Sequence, residues 1–186
     1  MANSLSKSAS YSELELKYAR PIATALANDP DFLAWVVTGT RHEALAKVAR
    51  HDSATQKARR GQPKMKNPYW FNYWCGKDRA CTCRIGTAVE TDILLVFACQ
   101  EVNLAVHVEV KRPGEKLGVG QAATYPRRAA CWATDTTRPK RIPPHTEFLT
   151  VLACGDNLVG NIELDYFDKV ILHSDIAQRI KPYPDA

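Results

Sequence analysis

Two apolar runs near the middle of the chain decide its fold: TDILLVF at residues 91–97 and LAVHVEVK at residues 104–111. The second run alternates strictly, with leucine or valine at every even position from 104 to 110. Successive side chains of a β-strand point to opposite faces of the sheet, so His107, Glu109 and Lys111 share one face. The pattern therefore predicts a strand with one apolar face and one face that carries chemically active groups.

Residues 98–103, between the two runs, are too few for a helical crossover and fit an antiparallel hairpin. In such a hairpin the first strand begins beside the end of the second, which places Asp92 next to Glu109 and Lys111. Two neighbouring carboxylates repel each other unless a cation neutralises them, and Mg²⁺ typically takes one or two carboxylates with water and phosphate oxygens. A lysine beside them can orient or deprotonate a water molecule and stabilise charge on a phosphate. The hairpin therefore predicts a site that hydrolyses phosphodiester bonds.

The order of these residues resembles the motif of the PD-(D/E)xK nuclease superfamily, whose members share the restriction-endonuclease-like fold. Asp92 matches the first acid and Glu109-Val110-Lys111 the second half of the motif, while Thr91 stands in place of the proline. The resemblance implies an α/β (α+β) fold with an αβββαβ core, in which helices flank a central mixed sheet of four to five strands. It also implies a metal-dependent nuclease, an endonuclease acting on DNA.

The resemblance further assigns roles to the motif residues. Asp92, Glu109 and the carbonyl oxygen of Val110 would hold Mg²⁺ or Mn²⁺, and Lys111 would position the attacking water. Many nucleases of this fold dimerise to cut both strands, so a homodimer is an open expectation.

Two helices add residues to the match. Gln121 opens a predicted helix after a glycine-rich turn, where nucleases resembling RecB place a glutamine that orients the lysine or a phosphate, and Tyr125 also fits their pattern. Near the N-terminus, Glu13 resembles the first-helix glutamate of type I restriction subunits and would help to hold the metal or water. Glu13 also completes a capping box with Ser10. Glu15 competes for the same role, because it lies on the apolar stripe of the helix.

Basic and aromatic residues indicate a nucleic-acid surface. Five basic residues and no acidic residue lie between positions 57 and 66, and five aromatic residues follow at positions 69–74. Basic side chains can neutralise phosphates and aromatic side chains can stack on bases. The alternatives are a solvated loop and core packing, and we favour core packing for the aromatic run. The predicted nucleic-acid-binding residues are Lys57, Arg59, Arg60, Lys64, Lys66, Tyr125, Arg127 and Arg128.

The six cysteines divide into two groups. Cys75, Cys81 and Cys83 lie close together and could donate three thiolates to a structural Zn²⁺, with His42, His51 or another cysteine as the fourth ligand. Their spacing matches no common zinc signature, so structural zinc is not the favoured interpretation. RecB-like relatives that hold an iron–sulfur cluster carry three cysteines near the C-terminus, which this chain lacks. The remaining cysteines are predicted to be small buried apolar side chains: Cys99, Cys131 and Cys154.

Length and composition fit one domain at residues 11–186 after a flexible N-terminus at residues 1–10. The chain has 186 residues, 45% of them hydrophobic, and a net charge of +5 that suits a polyanionic partner. No apolar stretch approaches the roughly 20 residues that span a bilayer. The first residues also lack the apolar core of a secretory signal. We therefore expect no membrane partner and a cytoplasmic location.

Periodicity and turn signals predict the remaining elements. The strands at 104–111 and 147–153 should be parallel, because a helix connects them. The predicted helices are 11–27, 31–37, 43–50, 121–133 and 175–180, and the predicted strands are 69–74, 84–88, 91–97, 104–111, 147–153 and 169–172.

Two other functions remain open at this point. The chain could be a catalytically inactive nuclease-fold subunit that binds nucleic acid in a defence or repair complex. It could also be an interaction protein organised by metal at Cys75, Cys81 and Cys83. The intact set of Asp92, Glu109 and Lys111 favours an active enzyme.

Overall fold

A computed structural model of the protein describes residues 11–64, 67–75, 83 and 90–184. Its α-helices are α1 (Tyr11–Asn28), α2 (Pro30–Val37), α3 (Ser53–Arg60), α4 (Gln121–Ala133) and α5 (His173–Arg179). Its strands are β1 (Arg50–His51), β2 (Phe71–Trp74), β3 (Glu90–Cys99), β4 (Val102–Val110), β5 (Glu147–Cys154) and β6 (Lys169–Leu172). None of the helices within these ranges combines the length and the apolar character needed to cross a membrane.

The strands of the described residues form a mixed sheet in the order β1-β3-β4-β5-β6, with β2 also paired to β3. β3 is antiparallel to β1, β2 and β4, whereas β5 is parallel to β4 and β6. The predicted hairpin is confirmed, because Cys99 pairs with Val102 and the ladder continues to Ile93 and Val108. The predicted parallel pair that flanks α4 is also confirmed. The protein is therefore mixed α/β, and its sheet has six strands rather than four to five.

Both faces of the sheet are buried. One face packs on α1 and α2 through apolar side chains such as Leu95 and Val106. The other face packs against α4, where Leu94 and Trp132 share a cluster. The predicted alternation along β4 is therefore confirmed, but the face that carries Glu109 is covered rather than open. The reason is position: β4 lies between β3 and β5, and helices cover each side.

Two local predictions are wrong. Residues 53–60, where no helix is predicted, form α3, since Asp52 accepts a hydrogen bond from Thr55 N–H at its start and Gly61, at φ 77°, ends it. Residues 43–47 form a 3-10 helix rather than the first part of an α-helix to residue 50. The predicted strand at 84–88 lies outside the described residues.

Candidate active site

The β3–β4 hairpin opens where the two strands carry their acidic residues. The ladder stops at Ile93 and Val108, although both strands continue beyond these residues. Val110 N–H donates instead to Asp92 Oδ2, 2.8 Å away. Continuing the register places Asp92 opposite Glu109, close enough for the Glu109 charge to act on Asp92. The Asp92 side chain thus accepts a hydrogen bond that a backbone carbonyl would accept in a continued ladder. It fixes the end of the hairpin beyond Ile93 and Val108, where the ladder stops.

Glu109 is the centre of the cluster. Its Oε1 accepts hydrogen bonds from Lys111 Nζ at 2.9 Å and from Gln121 Nε2 at 2.8 Å. Its Oε2 accepts a hydrogen bond from the Tyr125 hydroxyl. A carboxylate has about four acceptor positions, so roughly one remains for a further partner. Gly120, at φ 69°, adopts the left-handed backbone that begins α4 and brings its first turn to the strand.

Lys111 is held as a cation beside these acids. Burial alone would lower its pKa, but the charges of Glu109 and Asp92 outweigh burial and raise the pKa above its ordinary value. Its backbone is also fixed: the N–H donates to the Ala153 carbonyl at 2.8 Å, and the carbonyl oxygen lies 2.7 Å from His173 Nε2. A lysine with a raised pKa keeps its proton, so it suits the positioning of water or phosphate better than proton abstraction.

A third acid reaches the cluster from α1, and it is Glu15 rather than Glu13. Glu15 is buried, and its charge acts on Asp92 and Glu90, whereas Glu13 is exposed. Glu15 is buried because it lies on the side of α1 that faces the sheet, as does Ala19, one turn later, which is fully buried. The structure therefore corrects the choice that resemblance favoured.

Four carboxyl groups influence one another at this end of the hairpin, and sequence reasoning missed one of them, Glu90. Burial raises the pKa of Asp92 well above its ordinary value, and the Glu109 charge adds to the effect. Burial also raises the pKa of Glu90 to about 7, helped by Glu15 and Glu109. Glu90 lies two residues before Asp92, so period-two alternation could have found it. Glu90 therefore keeps part of its proton near neutral pH, and a cation bound nearby would favour its ionised form.

The predicted nucleic-acid surface is only partly exposed. Arg60 is buried, which corrects its assignment as a phosphate contact. It donates to the carbonyl oxygen of Phe71, and its guanidinium lies 4.3 Å from the centre of the Tyr73 ring. Core packing is confirmed for Phe71 and Tyr73, whereas Trp74 is exposed. Lys66 lies outside the described residues, and the exposed members of the predicted set are Lys57, Arg59, Lys64 and Arg127.

Arg128 and Tyr125 form a buried layer that supports the acids. Arg128 Nε donates to Thr91 Oγ1 at 2.8 Å, and its guanidinium lies 4.2 Å from the centre of the Tyr125 ring. The Tyr125 hydroxyl donates to Glu109. Because both side chains are buried on these partners, they cannot stack on a base or contact a phosphate. Their assignment is corrected from nucleic-acid contact to support of Glu109.

His107 lies in the apolar layer under α4. Its ring centre is 5.3 Å from that of Trp132 and 6.1 Å from that of His145. Burial lowers its pKa well below the ordinary value, and neither ring nitrogen has a hydrogen-bond partner among the described residues. The neutral ring therefore adds no charge to the site.

The predicted grouping of the cysteines is partly corrected. Cys81 lies outside the described residues, while Cys131, predicted to be an isolated apolar side chain, joins Cys75 and Cys83. The three sulfur atoms lie within 4.8 Å of one another. Within the described ranges no other three cysteine, histidine or acidic side chains bring their ligand atoms so close, and His42 and His51 are not part of the group.

Comparison of this protein with protein-family models, with curated proteins and with solved structures finds no match in any of the three. The chemistry must therefore be argued from the geometry. A buried acid pair, a cationic lysine and a helix-borne amide meet at the open end of one hairpin. Such an arrangement can bind a divalent cation and hold a water molecule beside a phosphate.

Proposed function

We propose that the protein is a metal-dependent nuclease of the PD-(D/E)xK type that hydrolyses phosphodiester bonds in DNA. The observation that carries the proposal is the convergence on one carboxylate: Glu109 contacts Lys111 and Gln121 and lies opposite Asp92 in the continued register of the hairpin. A chance Glu-x-Lys pair on a solvated strand face would not collect a second acid and a helix-borne amide. Buried polar clusters cost free energy to form, and perturbed carboxyl pKa values are typical of functional sites.

The donor set fits Mg²⁺ or Mn²⁺. Asp92 and Glu109 would hold the ion, with the Val110 carbonyl oxygen as the third proposed ligand. Burial raises the pKa of Asp92 and the Glu109 charge adds to the effect, so a cation bound between the two groups would favour their ionised forms. Oxygen donors favour these hard ions over softer metals. Once bound, the metal would neutralise charge on the phosphate and activate a water molecule.

The protein's own side chains then have distinct tasks. Lys111, kept protonated by its acidic neighbours, positions the attacking water or a phosphate oxygen. Gln121 and Tyr125 hold Glu109 in one orientation through their hydrogen bonds. Glu15 adds negative charge from α1, which strengthens the attraction for a cation.

The order of elements supports the restriction-endonuclease-like core. After α1 the chain passes through α2, β1 and α3, and then through β2, β3, β4, α4 and the parallel strand β5, so the αβββαβ order is present with these three elements inserted after α1. The exposed basic residues of α3 and α4, among them Lys57, Arg59 and Arg127, support a polyanionic substrate. DNA rather than RNA follows from the family resemblance alone.

Cleavage assays with a matched pair of lysine variants test the proposal. Plasmid, linear duplex and single-stranded DNA are incubated with the protein and Mg²⁺ or Mn²⁺, with a chelator as the blank. Lys111→Ala should lower the cleavage rate by about a hundredfold or more, because it removes a group that stabilises transition-state charge. Lys116→Ala, an exposed lysine in the following loop, serves as the control and should cleave like the parent.

The outcomes separate the competing functions. Equal cleavage by the parent and Lys111→Ala indicates a contaminating nuclease and removes support for the site. A folded parent that binds DNA but cleaves none of the substrates with either metal indicates an inactive nuclease-fold binding subunit.

A further inference from the structure

A second cluster of reactive side chains lies away from the carboxylates. Cys75 directly follows β2, Cys131 lies on α4, and Cys83 belongs to the same buried cluster. The sulfur atoms of Cys75 and Cys83 are 3.2 Å apart, and all three sulfurs lie within 4.8 Å of one another. Each of the three side chains is more than nine-tenths buried.

The surroundings of the sulfur atoms favour negative charge. Trp132 Nε1–H donates to Cys75 Sγ at 3.3 Å. The Arg128 guanidinium is close enough for charge on Cys83 and Cys75 to act on it, and its Nη2 has no hydrogen-bond partner among the described residues. Donors and positive charge stabilise thiolates rather than thiols, and the thiolate is the form of cysteine that binds metal.

We propose that Cys75, Cys83 and Cys131 bind one Zn²⁺ ion as thiolates. Ligands about 2.3 Å from a tetrahedral zinc lie roughly 3.8 Å from one another, a spacing that the sulfur cluster can provide. Each thiol releases its proton to solvent when zinc binds, and no electron is transferred. Three protein thiolates leave the fourth position to another ligand.

A single shared ion explains the cluster better than its alternatives. In a four-iron cluster each thiolate binds a different iron, so the sulfurs stand further apart than around one ion. A disulfide between Cys75 and Cys83 would involve only two of the three sulfur atoms. It would not explain why the Cys131 sulfur also lies within 4.8 Å of the other two.

The ion would join the end of β2 to α4, the helix that carries Gln121 and Tyr125. Zinc would then hold this helix in place over the strands and so support the orientation of Glu109 indirectly. The zinc proposal can nevertheless be tested independently of the proposed nuclease activity, because metal content is measured without DNA.

Metal analysis of the full chain tests the proposal. Protein purified under reductant from zinc-supplemented cells should contain about one zinc per chain. Replacement by Co²⁺ should give thiolate-to-cobalt absorption in the near ultraviolet together with the visible bands of tetrahedral cobalt. Absence of both zinc and these bands, or iron in place of zinc, overturns the proposal.

Matched cysteine variants identify the ligands. Cys131→Ser should retain less than about a tenth of the parent's zinc after dialysis against a chelator. Cys154→Ser, a buried cysteine of another apolar cluster, should keep its zinc. Equal zinc in the two folded variants contradicts the ligand assignment. Should Cys131→Ser fail to fold, the cobalt spectrum of the parent decides the question.

Discussion

Both faces of the central sheet are buried, but they differ in charge: the face toward α4 combines an apolar cluster with charged side chains, whereas the face toward α1 and α2 is apolar. The face toward α1 and α2 holds apolar side chains such as Leu95 and Val108. The face toward α4 buries polar and charged groups, including His107, Glu109 and Arg128. Burial of apolar surface stabilises the fold by about 25 cal/mol per Å², whereas buried charges cost free energy unless they are paired. Apolar packing on both faces therefore stabilises the fold, and the charged groups on the face toward α4 depend on their pairing.

The largest effect is expected on the polar face, from Asp92→Asn. Asparagine keeps the shape of a protonated carboxyl and can accept the Val110 N–H bond, but it cannot bind metal as a carboxylate. Cleavage should fall by about a thousandfold or more, while the metal-free protein becomes more stable at neutral pH because a buried acid is lost. Cleavage rates and urea unfolding measure the two changes. A variant that loses stability together with activity would show that the carboxylate is structural.

The apolar face should give the reverse result. Leu95→Ala leaves a cavity beneath α1 and should lower the free energy of unfolding by about 2–5 kcal/mol. Cleavage per folded molecule should stay within about twofold of the parent, because no group of the site changes. Denaturant unfolding gives the first quantity, and assays at a temperature where circular dichroism shows folded protein give the second. Loss of cleavage in the folded variant would contradict the assignment of activity to the face toward α4 alone.

The pH dependence of stability sharpens the same comparison. The pKa of Asp92 is raised in the folded state, and that of Glu90 is raised to about 7, so the folded protein binds more protons than the unfolded chain above the ordinary carboxyl pKa. The contribution of these two acids to the free energy of unfolding of the metal-free protein should therefore fall as the pH rises from about 4 to 7. The buried histidines have lowered pKa values that act in the opposite direction, so the difference between the parent and Glu90→Gln isolates the contribution of Glu90. Mg²⁺ should flatten this slope, because it binds the ionised carboxylates. Unfolding curves at several pH values in which the difference between the parent and Glu90→Gln does not fall would contradict the raised pKa of Glu90.

The smallest effect separates two glutamates on α1. Glu15→Gln removes a buried charge beside Asp92 and should weaken Mg²⁺-dependent cleavage by about tenfold. Glu13→Gln changes an exposed side chain and should leave the rate within about twofold of the parent. Titration of cleavage rate with Mg²⁺ compares the two variants. The opposite ranking would restore the residue that the family resemblance favoured.

Local sequence was sufficient for much of the hairpin and its cluster. Alternation from 104 to 110 and the short connection placed Asp92, Glu109 and Lys111 together, because strand geometry and hairpin closure are local rules. Local sequence leaves the choice between Glu13 and Glu15 open and does not group Cys131 with Cys75 and Cys83, since these roles depend on which face of a helix meets the sheet. Arg60 was misjudged for the same reason: a basic residue in a polar run turned inward onto Tyr73.

The sequence by itself determined the strands of the hairpin, their register and the residues that meet at its open end, because period-two alternation and a short turn allow few other pairings. Only the tertiary structure decided that α4 covers the face that carries Glu109, that Glu15 supplies the acid from α1, and that Cys131 joins Cys75 and Cys83. These contacts join residues far apart in the chain, and packing rather than local periodicity selects them.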